Sequence, residues 1–241
     1  MHFHLPKPLH GWREFAGEVG IIVIGVLIAL AAEQVVETLH WNHVAGAARE
    51  SVAEELEAEY FAAAEMAIAQ PCVDRQLQLI EAAVLAPGPY RAVPSYTEGA
   101  RSFVLRAPAR SWSHHIWDSV SNDGTAAHLD RRTRLGLASL YGLVDYIRDK
   151  NVAAESLQQR LAALSRPIQP DAAARAGLVA DIEQARSLYA LIALISDQLI
   201  GQGEAIGFRP RLEDIRADQS GTLNFCRAHH LPLARVEPRA P

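Results

Sequence analysis

The 241-residue sequence lacks most of the motifs that usually mark a catalytic protein. Aromatic residues make up only 7% of the chain, and there are two cysteines. The serine motifs G-x-S-x-G and S-x-x-K and the phosphate-binding loop are missing. The net charge of −5 gives no basic surface for nucleic acid. We therefore expect no nucleic-acid partner and no cofactor, and the sequence offers no catalytic residue.

The chain also lacks the period-two alternation of half-buried strands, whereas alanine and leucine are abundant. These features predict an all-α fold. In it, an N-terminal transmembrane helix continues into a long helix, and an extramembrane helical bundle follows. After the tail and the span about 200 residues remain, which is enough for one domain with its own core.

One long apolar stretch lies near the N-terminus. Fourteen uncharged residues separate Glu18 from Glu33, and apolar character extends from Phe15 to Val36. A helix of these 22 residues is about 33 Å long, and the hydrocarbon core of a bilayer is about 30 Å thick. We predict a transmembrane anchor at residues 15–36, surrounded by membrane lipid, with both glutamates near the interfaces.

Trp12 and Trp41 flank this span at positions where the amphipathic indole ring is favoured. Two other interpretations stay open. A cleaved signal peptide would use Ile21 to Leu30 as its apolar core, although Glu14 and Glu18 occupy a region that is normally basic. A core helix of a soluble protein would need neighbours on nearly all of its faces. We favour the uncleaved anchor.

The charges on either side of the span indicate its orientation. Lys7 and Arg13 precede it, whereas Arg49 is the one base among seven glutamates at positions 33 to 59. Basic residues mark the cytoplasmic side of a span. We therefore predict a bacterial inner-membrane protein with a cytoplasmic tail at residues 1–14 and a periplasmic domain at residues 37–241.

Small residues within the span indicate contact with another helix. Gly25 and Ala29 lie four positions apart on one helical face, a spacing that lets two helices approach closely. Glycine is also common in spans that form no such contact. We predict a membrane-protein partner or a homo-oligomer formed through this helix.

Apolar residues continue at helical spacing after the span, from Val44 to Tyr60. The pattern predicts one helix over residues 15–69, with glutamates on its solvated faces. Pro71 is expected to end this helix, because proline interrupts the backbone hydrogen bonds. A separate helix is then expected over residues 73–85.

Apolar spacing and helix-breaking residues predict the remaining helices, at about residues 97–105, 129–150, 157–164, 171–206 and 212–217. Asp171 is the expected N-cap of its helix. Residues 188–200 are apolar nearly all round, so we expect this helix to be the central one of the core.

The stretch SWSHHIWDSVSNDG, residues 111–124, is the densest cluster of unusual residues. Adjacent histidines on a helix point about 100° apart, so His114 and His115 do not readily share a metal. One of them could form a pocket beside Trp117 with Asp118 or Asp123. The alternative is that these histidines are solvated or cap a helix.

Two other groupings could hold a metal but are incomplete. Glu37-x-x-His40-x-x-His43 resembles half of a di-iron helix pattern and lacks matching helices. Cys226-x-x-His229-His230 supplies too few ligands for a closed zinc site. We therefore predict no metal site.

The cysteines Cys72 and Cys226 leave two possibilities open. In an oxidising compartment they could form a disulfide that closes a very long loop. Otherwise they are separate thiols, because spacing alone does not determine pairing.

The anchor resembles the N-terminus of an uncharacterised family of bacterial single-pass membrane proteins. The match rests on Gly17-Glu18, Ile24-Gly25, Leu27-Ile28-Ala29-Leu30, Gln34 and Trp41, with a weaker match at Trp117-Asp118 and Asp123-Gly124. This chain departs from the pattern in having Ala31-Ala32-Glu33 where an asparagine-rich exit is usual. The family is known as a domain of unknown function, so the resemblance implies a topology and no activity.

These observations support three functional hypotheses. The first is a non-catalytic accessory or scaffold subunit of an inner-membrane or envelope assembly. The second is a periplasmic enzyme or metal-binding protein with a site between His114 and Asp123. The third is a ligand-sensing helical module that acts through a partner.

Overall fold

The computed structural model describes residues 11–91, 96–98, 101–208 and 220–235. In chain order its elements are α1 (Trp12–Leu85), β1 (Tyr96–Glu98), β2 (Arg101–Phe103), α2 (His115–Asn122), α3 (Arg131–Leu161), α4 (Ala172–Ala205) and α5 (Gly221–Ala228). Short 3-10 helices follow α2 and α3, at Thr125–His128 and Ala162–Ser165. The all-α fold predicted from the sequence is confirmed.

The chain forms two compact units, one up to Arg49 and one from Glu50 onward, and α1 contributes residues to both. In the first unit most apolar side chains of α1 are exposed, including Ile21 at 74% and Ile28 at 64%. By length and composition α1 could cross a membrane, and it is the one helix of this kind among the described residues. The boundaries of the span, 15–36, stay a prediction.

Helix α1 does not end at Pro71, and the prediction of two helices separated there is wrong. A proline inside a helix costs about 3 kcal/mol, because one hydrogen bond is lost and the ring crowds the preceding turn. Burial after this point offsets the cost. Cys72, Val73 and Leu77 are each at most 1% exposed, and each fully buried aliphatic side chain contributes about 1.5–3 kcal/mol. The helix therefore continues to Leu85.

The C-terminal end of α1 is closed by a side chain from another helix. The last turn of α1 contains no basic residue. Arg175 of α4 donates instead to the carbonyl oxygens of Val84, Ala86 and Gly88, the Ala86 bond measuring 3.1 Å. Its positive charge also complements the negative end of the helix dipole.

The core of the second unit is built by α1, α3 and α4. Its fully buried side chains include Leu56, Leu77, Ile80, Leu137, Leu140, Ile147, Leu157 and Ile182. Helix α4 is not buried all round, because Leu194 is 56% exposed while Ile192 is buried. The expectation of a central α4 is therefore wrong. Apolar residues on every face do not require a neighbour on every face, since much of any protein surface is apolar.

The predicted start of α4 agrees with the structure, but the predicted end of α3 does not. The predicted N-cap Asp171 is confirmed, and its carboxylate accepts from the Ala174 N–H at 2.7 Å. Asp130 caps α3 in the same way. Helix α3 continues without a break to Leu161, so the prediction of a separate short helix at 157–164 is wrong. No proline or glycine lies between residues 150 and 161 to end it.

Two short elements differ from the prediction. Residues 96–103 contain an antiparallel pair of strands, with Tyr96 opposite Phe103, where a helix was expected. Tyrosine, threonine and phenylalanine favour strands, and this composition outweighs the helical spacing. Helix α5 was not predicted, and the helix expected at 212–217 lies outside the described residues.

Cys72 of α1 and Cys226 of α5 form a disulfide, although they lie 154 positions apart along the chain. Of the two possibilities that the sequence leaves open, this is the one present in the structure. A cross-link that closes so long a loop stabilises the folded state by about 4–5 kcal/mol, chiefly by restricting the unfolded chain. Helix α5 has eight residues, too few to be stable alone, so this bond helps to hold it in place.

We predict that Gly203→Ala destabilises the second unit, because α4 contacts α1 at this glycine. A Cβ atom here would lie 1.6 Å from the hydroxyl oxygen of Tyr60. Overpacking of this kind costs about 1–3 kcal/mol, which urea unfolding followed by circular dichroism would measure. Gly142→Ala is the matched control. A Cβ on that helical glycine meets nothing within 4 Å and should add about 0.5–1 kcal/mol of stability. Equal stabilities of the two variants would contradict the contact.

Candidate functional site

The segment from Val104 to His114 contains no helix or strand, yet much of it is buried. Its backbone N–H and C=O groups therefore need hydrogen-bond partners from elsewhere in the chain. Four polar side chains of α1 contact this segment, and we call them the polar row: Glu55, Glu59, Glu65 and Gln76.

Two members of the polar row hold the first half of the segment. The Gln76 amide accepts from the Arg106 N–H at 2.8 Å and donates to the Arg106 carbonyl oxygen at 2.9 Å. Glu65 accepts from Arg110 Nε at 2.5 Å and from the hydroxyl of Ser220, which itself caps α5. The same face of α1 thus fixes both the segment and the start of α5.

The prediction that the glutamates of α1 lie on solvated faces is wrong for Glu59 and Glu65, which are 2% and 1% exposed. Glu54 and Glu57 are exposed, as expected. Glu55 and Glu59 lie one turn apart beside the apolar stripe. This spacing is the one sign in the sequence that these glutamates contact another part of the chain. Periodicity finds the apolar face of a helix, but it does not show that a polar segment packs beside that face.

Glu55 caps helix α2 from outside that helix. The first N–H groups of a helix have no partner within it, and His114 at the N-cap position makes no side-chain capping bond. The Glu55 carboxylate accepts instead from the amides of Ile116 at 3.1 Å and Trp117 at 3.3 Å. It also accepts from the hydroxyls of Ser113 and Tyr141, at 3.0 and 2.7 Å.

Glu59 lies one turn further along α1 and is less well satisfied. Its Oε1 accepts from the Ser113 N–H at 2.7 Å. Its Oε2 is buried and has no hydrogen-bond partner among the described residues. A buried oxygen without a donor is costly, and the cost is far larger when the carboxyl is charged. This geometry favours the protonated acid.

The two carboxyls have opposite pKa shifts. Burial raises the pKa of Glu55, but the hydrogen bonds that it accepts, led by that from Ile116, outweigh burial and leave the pKa below its ordinary value. Burial raises the pKa of Glu59 to about 7, opposed by the Ser113 N–H and reinforced by the charge of Glu55. A protonated His114 would lower the pKa of Glu59. Neighbouring carboxyls with separated pKa values can hold one proton between them.

His114 lies between α2 and α3 and is fully engaged by neighbours. Arginine cannot accept a hydrogen bond, so Arg148 donates to Nε2 of His114 at 2.6 Å. The other ring nitrogen, Nδ1, donates to Asp118 at 3.0 Å. Asp145 lies 3.9 Å from Nε2 and 3.1 Å from the Arg148 guanidinium.

The structure brings together only part of the pocket predicted near residues 111–124. Trp117 stacks on Tyr141, with 5.6 Å between the ring centroids, and His114 contacts Asp118. His115 is exposed and lies against the His114 ring. Asp123 accepts from the Thr125 N–H at 2.8 Å and so stabilises the turn after α2. Sequence reasoning missed Glu55, Glu59, Tyr141 and Arg148 as members of this cluster.

The residues predicted for the anchor all lie in the first unit. Trp12, Glu18, Gly25, Ala29 and Glu33 are exposed, and Trp41 is half-buried with its ring 5.5 Å from that of His40. A Cβ on Gly25 would meet nothing within 4 Å. Within the residues that the structure describes, no group of three or more histidine, cysteine or acidic side chains could hold a metal ion.

Comparison with protein-family models, with curated proteins and with solved structures found no match to this chain.

We predict that Glu59→Gln removes a pH dependence of folding stability. The pKa of Glu59 is 4.5 when exposed and about 7 when folded. The folded state therefore binds this proton more tightly, so its contribution is full below about pH 4.5 and is lost as the pH rises to about 7. At about 1.4 kcal/mol per pH unit the loss approaches 3 kcal/mol. Urea titrations at several pH values would measure it.

The matched control for this prediction is Glu57→Gln, which makes the same substitution at an exposed position on the same helix. It should keep the pH dependence of the wild-type protein. If Glu59→Gln and Glu57→Gln lose stability equally between pH 5 and pH 7, Glu59 does not carry the proton.

Proposed function

We propose that this protein is an accessory or scaffold subunit of a bacterial inner-membrane or envelope assembly, anchored by residues 15–36 and without catalysis of its own. The observation that carries this proposal is the exposed apolar surface of α1. Its side chains include Ile21, Ile22 and Leu27, which are 58–74% exposed. Apolar surface of this extent is stable in lipid or against another protein.

The disulfide supports a periplasmic position for the helical domain. Disulfides persist in the bacterial periplasm and are rare in the reducing cytosol. Cys72 and Cys226 both follow the apolar span, and Lys7 and Arg13 precede it. The positive-inside rule and the redox chemistry of the cysteines thus favour the same orientation.

The surroundings of His114 argue against the alternative of an enzyme or metal-binding protein. A general base or a metal ligand needs an available ring nitrogen. Arg148 occupies Nε2 and Asp118 occupies Nδ1. Glu55, a carboxylate of the same cluster, is used to cap α2. These groups stabilise the fold, which favours a scaffold. A ligand-sensing module would share the anchor and differ in needing a small-molecule site.

We predict that added protease digests the helical domain in intact spheroplasts, because residues 37–241 face the periplasm in the proposed topology. Immunoblotting with one tag at each end would show loss of the C-terminal tag and survival of a short N-terminal fragment in the membrane fraction. Alkaline carbonate should leave that fragment in the membrane pellet. Protection of the C-terminal tag until the membrane is lysed would contradict the orientation. Release of the chain by carbonate would contradict the anchor.

We predict a stoichiometric membrane partner, or a second copy of the chain, after affinity purification of the full-length protein in mild detergent. Mass spectrometry would identify it. Gly25→Leu with Ala29→Leu should abolish the association, because the larger side chains keep the helices apart. Val23→Leu, a change on another face of the helix, is the control and should leave it intact. A chain that purifies alone would contradict the subunit proposal and favour a search for small ligands.

A further inference from the structure

Glu55 and Glu59 form an acidic pair that holds one peptide segment. They lie one turn apart on α1, and both bind Ser113, whose hydroxyl donates to Glu55 and whose N–H donates to Glu59. Among the described residues, no lysine or arginine forms an ion pair with either carboxyl. Two like charges at this spacing repel each other, and the burial of Glu59 weakens the screening of this repulsion by water. The pair is therefore best satisfied when it carries one proton.

We propose that a single proton on Glu59 controls the docking of helix α2 on α1: when the proton is bound, residues 113–122 stay docked, and its loss releases them. This control belongs to the helical domain alone and does not depend on the anchor or on a partner. It adds a regulated element to the structure, which the proposed scaffold function does not require.

The proton belongs on Glu59 rather than on Glu55. Glu55 accepts four hydrogen bonds, and such bonds favour the ionised form. Glu59 accepts one hydrogen bond, and its buried Oε2 has no partner among the described residues. Burial raises the pKa of Glu59 to about 7, so the proton would be exchanged near neutral pH.

The charged and titratable groups around Glu59 come from several elements. Glu55 lies beside it on α1, and Tyr141 approaches from α3. His114 lies at the start of α2 and is tied to Asp118, Asp145 and Arg148. Glu204 of α4 acts on the adjacent Tyr60. Glu55 adds negative charge next to Glu59, and the one arginine of this group donates to His114.

Ionisation of Glu59 can be relieved by letting water reach Oε2. Ser113 and the residues next to it bind Glu59 and Glu55, so hydration of Glu59 requires this segment to move away. The move also breaks the bonds from Glu55 to the amides of Ile116 and Trp117. Helix α2 has eight residues, and a helix of this length without its cap is not stable in water. Loss of one proton therefore undocks and unwinds α2, which exposes the stacked rings of Trp117 and Tyr141.

Hydrogen exchange of the full-length protein in detergent tests this control, after correction for the intrinsic pH dependence of amide exchange. Protection of the Ser113, Ile116 and Trp117 amides should fall about tenfold for each pH unit between about 5 and 7 and should level off above it. In Glu59→Gln the protection should not change with pH, and Glu57→Gln should behave as the wild-type protein. A fall that persists in Glu59→Gln would overturn the proposal.

Low urea separates local release from global unfolding. Release of α2 exposes little surface, so exchange at residues 113–122 should not respond to 1 M urea. Core amides of α3 and α4 exchange by global unfolding and should respond. If residues 113–122 exchange at the core rate with the same urea dependence, release is not local and the proposal fails. If Glu59→Gln does not fold, the pH dependence of amide protection in the wild-type protein is the test. Protection of residues 113–122 that stays constant from pH 5 to pH 8 would overturn the proposal.

Discussion

The helical domain depends on hydrogen bonds between one face of α1 and a neighbouring segment that has no secondary structure of its own. An irregular segment can be buried only if its backbone groups find partners. Gln76, Glu59 and Glu55 of the polar row supply such partners to Arg106, Ser113 and Ile116, and Glu65 binds the side chain of Arg110. The apolar stripe of the same helix packs on α3 and α4. One helix thus stabilises the bundle on one side and the irregular segment on the other.

Local caps begin α3 and α4, but contacts between elements set other helix ends. Arg175 of α4 closes α1, Glu55 of α1 begins α2, and Ser220 begins α5 while bonded to Glu65. The disulfide adds a covalent contact of the same kind between α1 and α5. Such contacts explain how α1 passes Pro71 and how two eight-residue helices persist.

The sequence predicted those parts of the fold that a single helix determines. Apolar spacing located α3 and α4, and Asp171 marked a helix start, because a cap acts within one turn. The sequence did not predict that α1 continues past Pro71, that residues 96–103 contain a strand pair or that Glu59 is buried. Each of these features depends on what packs alongside. In the candidate site the sequence drew attention to His114, Trp117 and Asp118. It gave no indication of Glu55 or Arg148, which reach this cluster from helices far away in the chain.

The capping of α2 by Glu55 has a consequence for how such a chain can vary. A residue that caps its own helix can change together with its immediate neighbours, whereas Glu55 lies 61 positions before the amide of Ile116. A related chain that lost the carboxylate at position 55 would need a new cap at position 114 or 115 to retain α2. In an alignment of related chains, a substitution at position 55 should therefore occur together with one at position 114 or 115, and substitutions at position 55 alone should be absent.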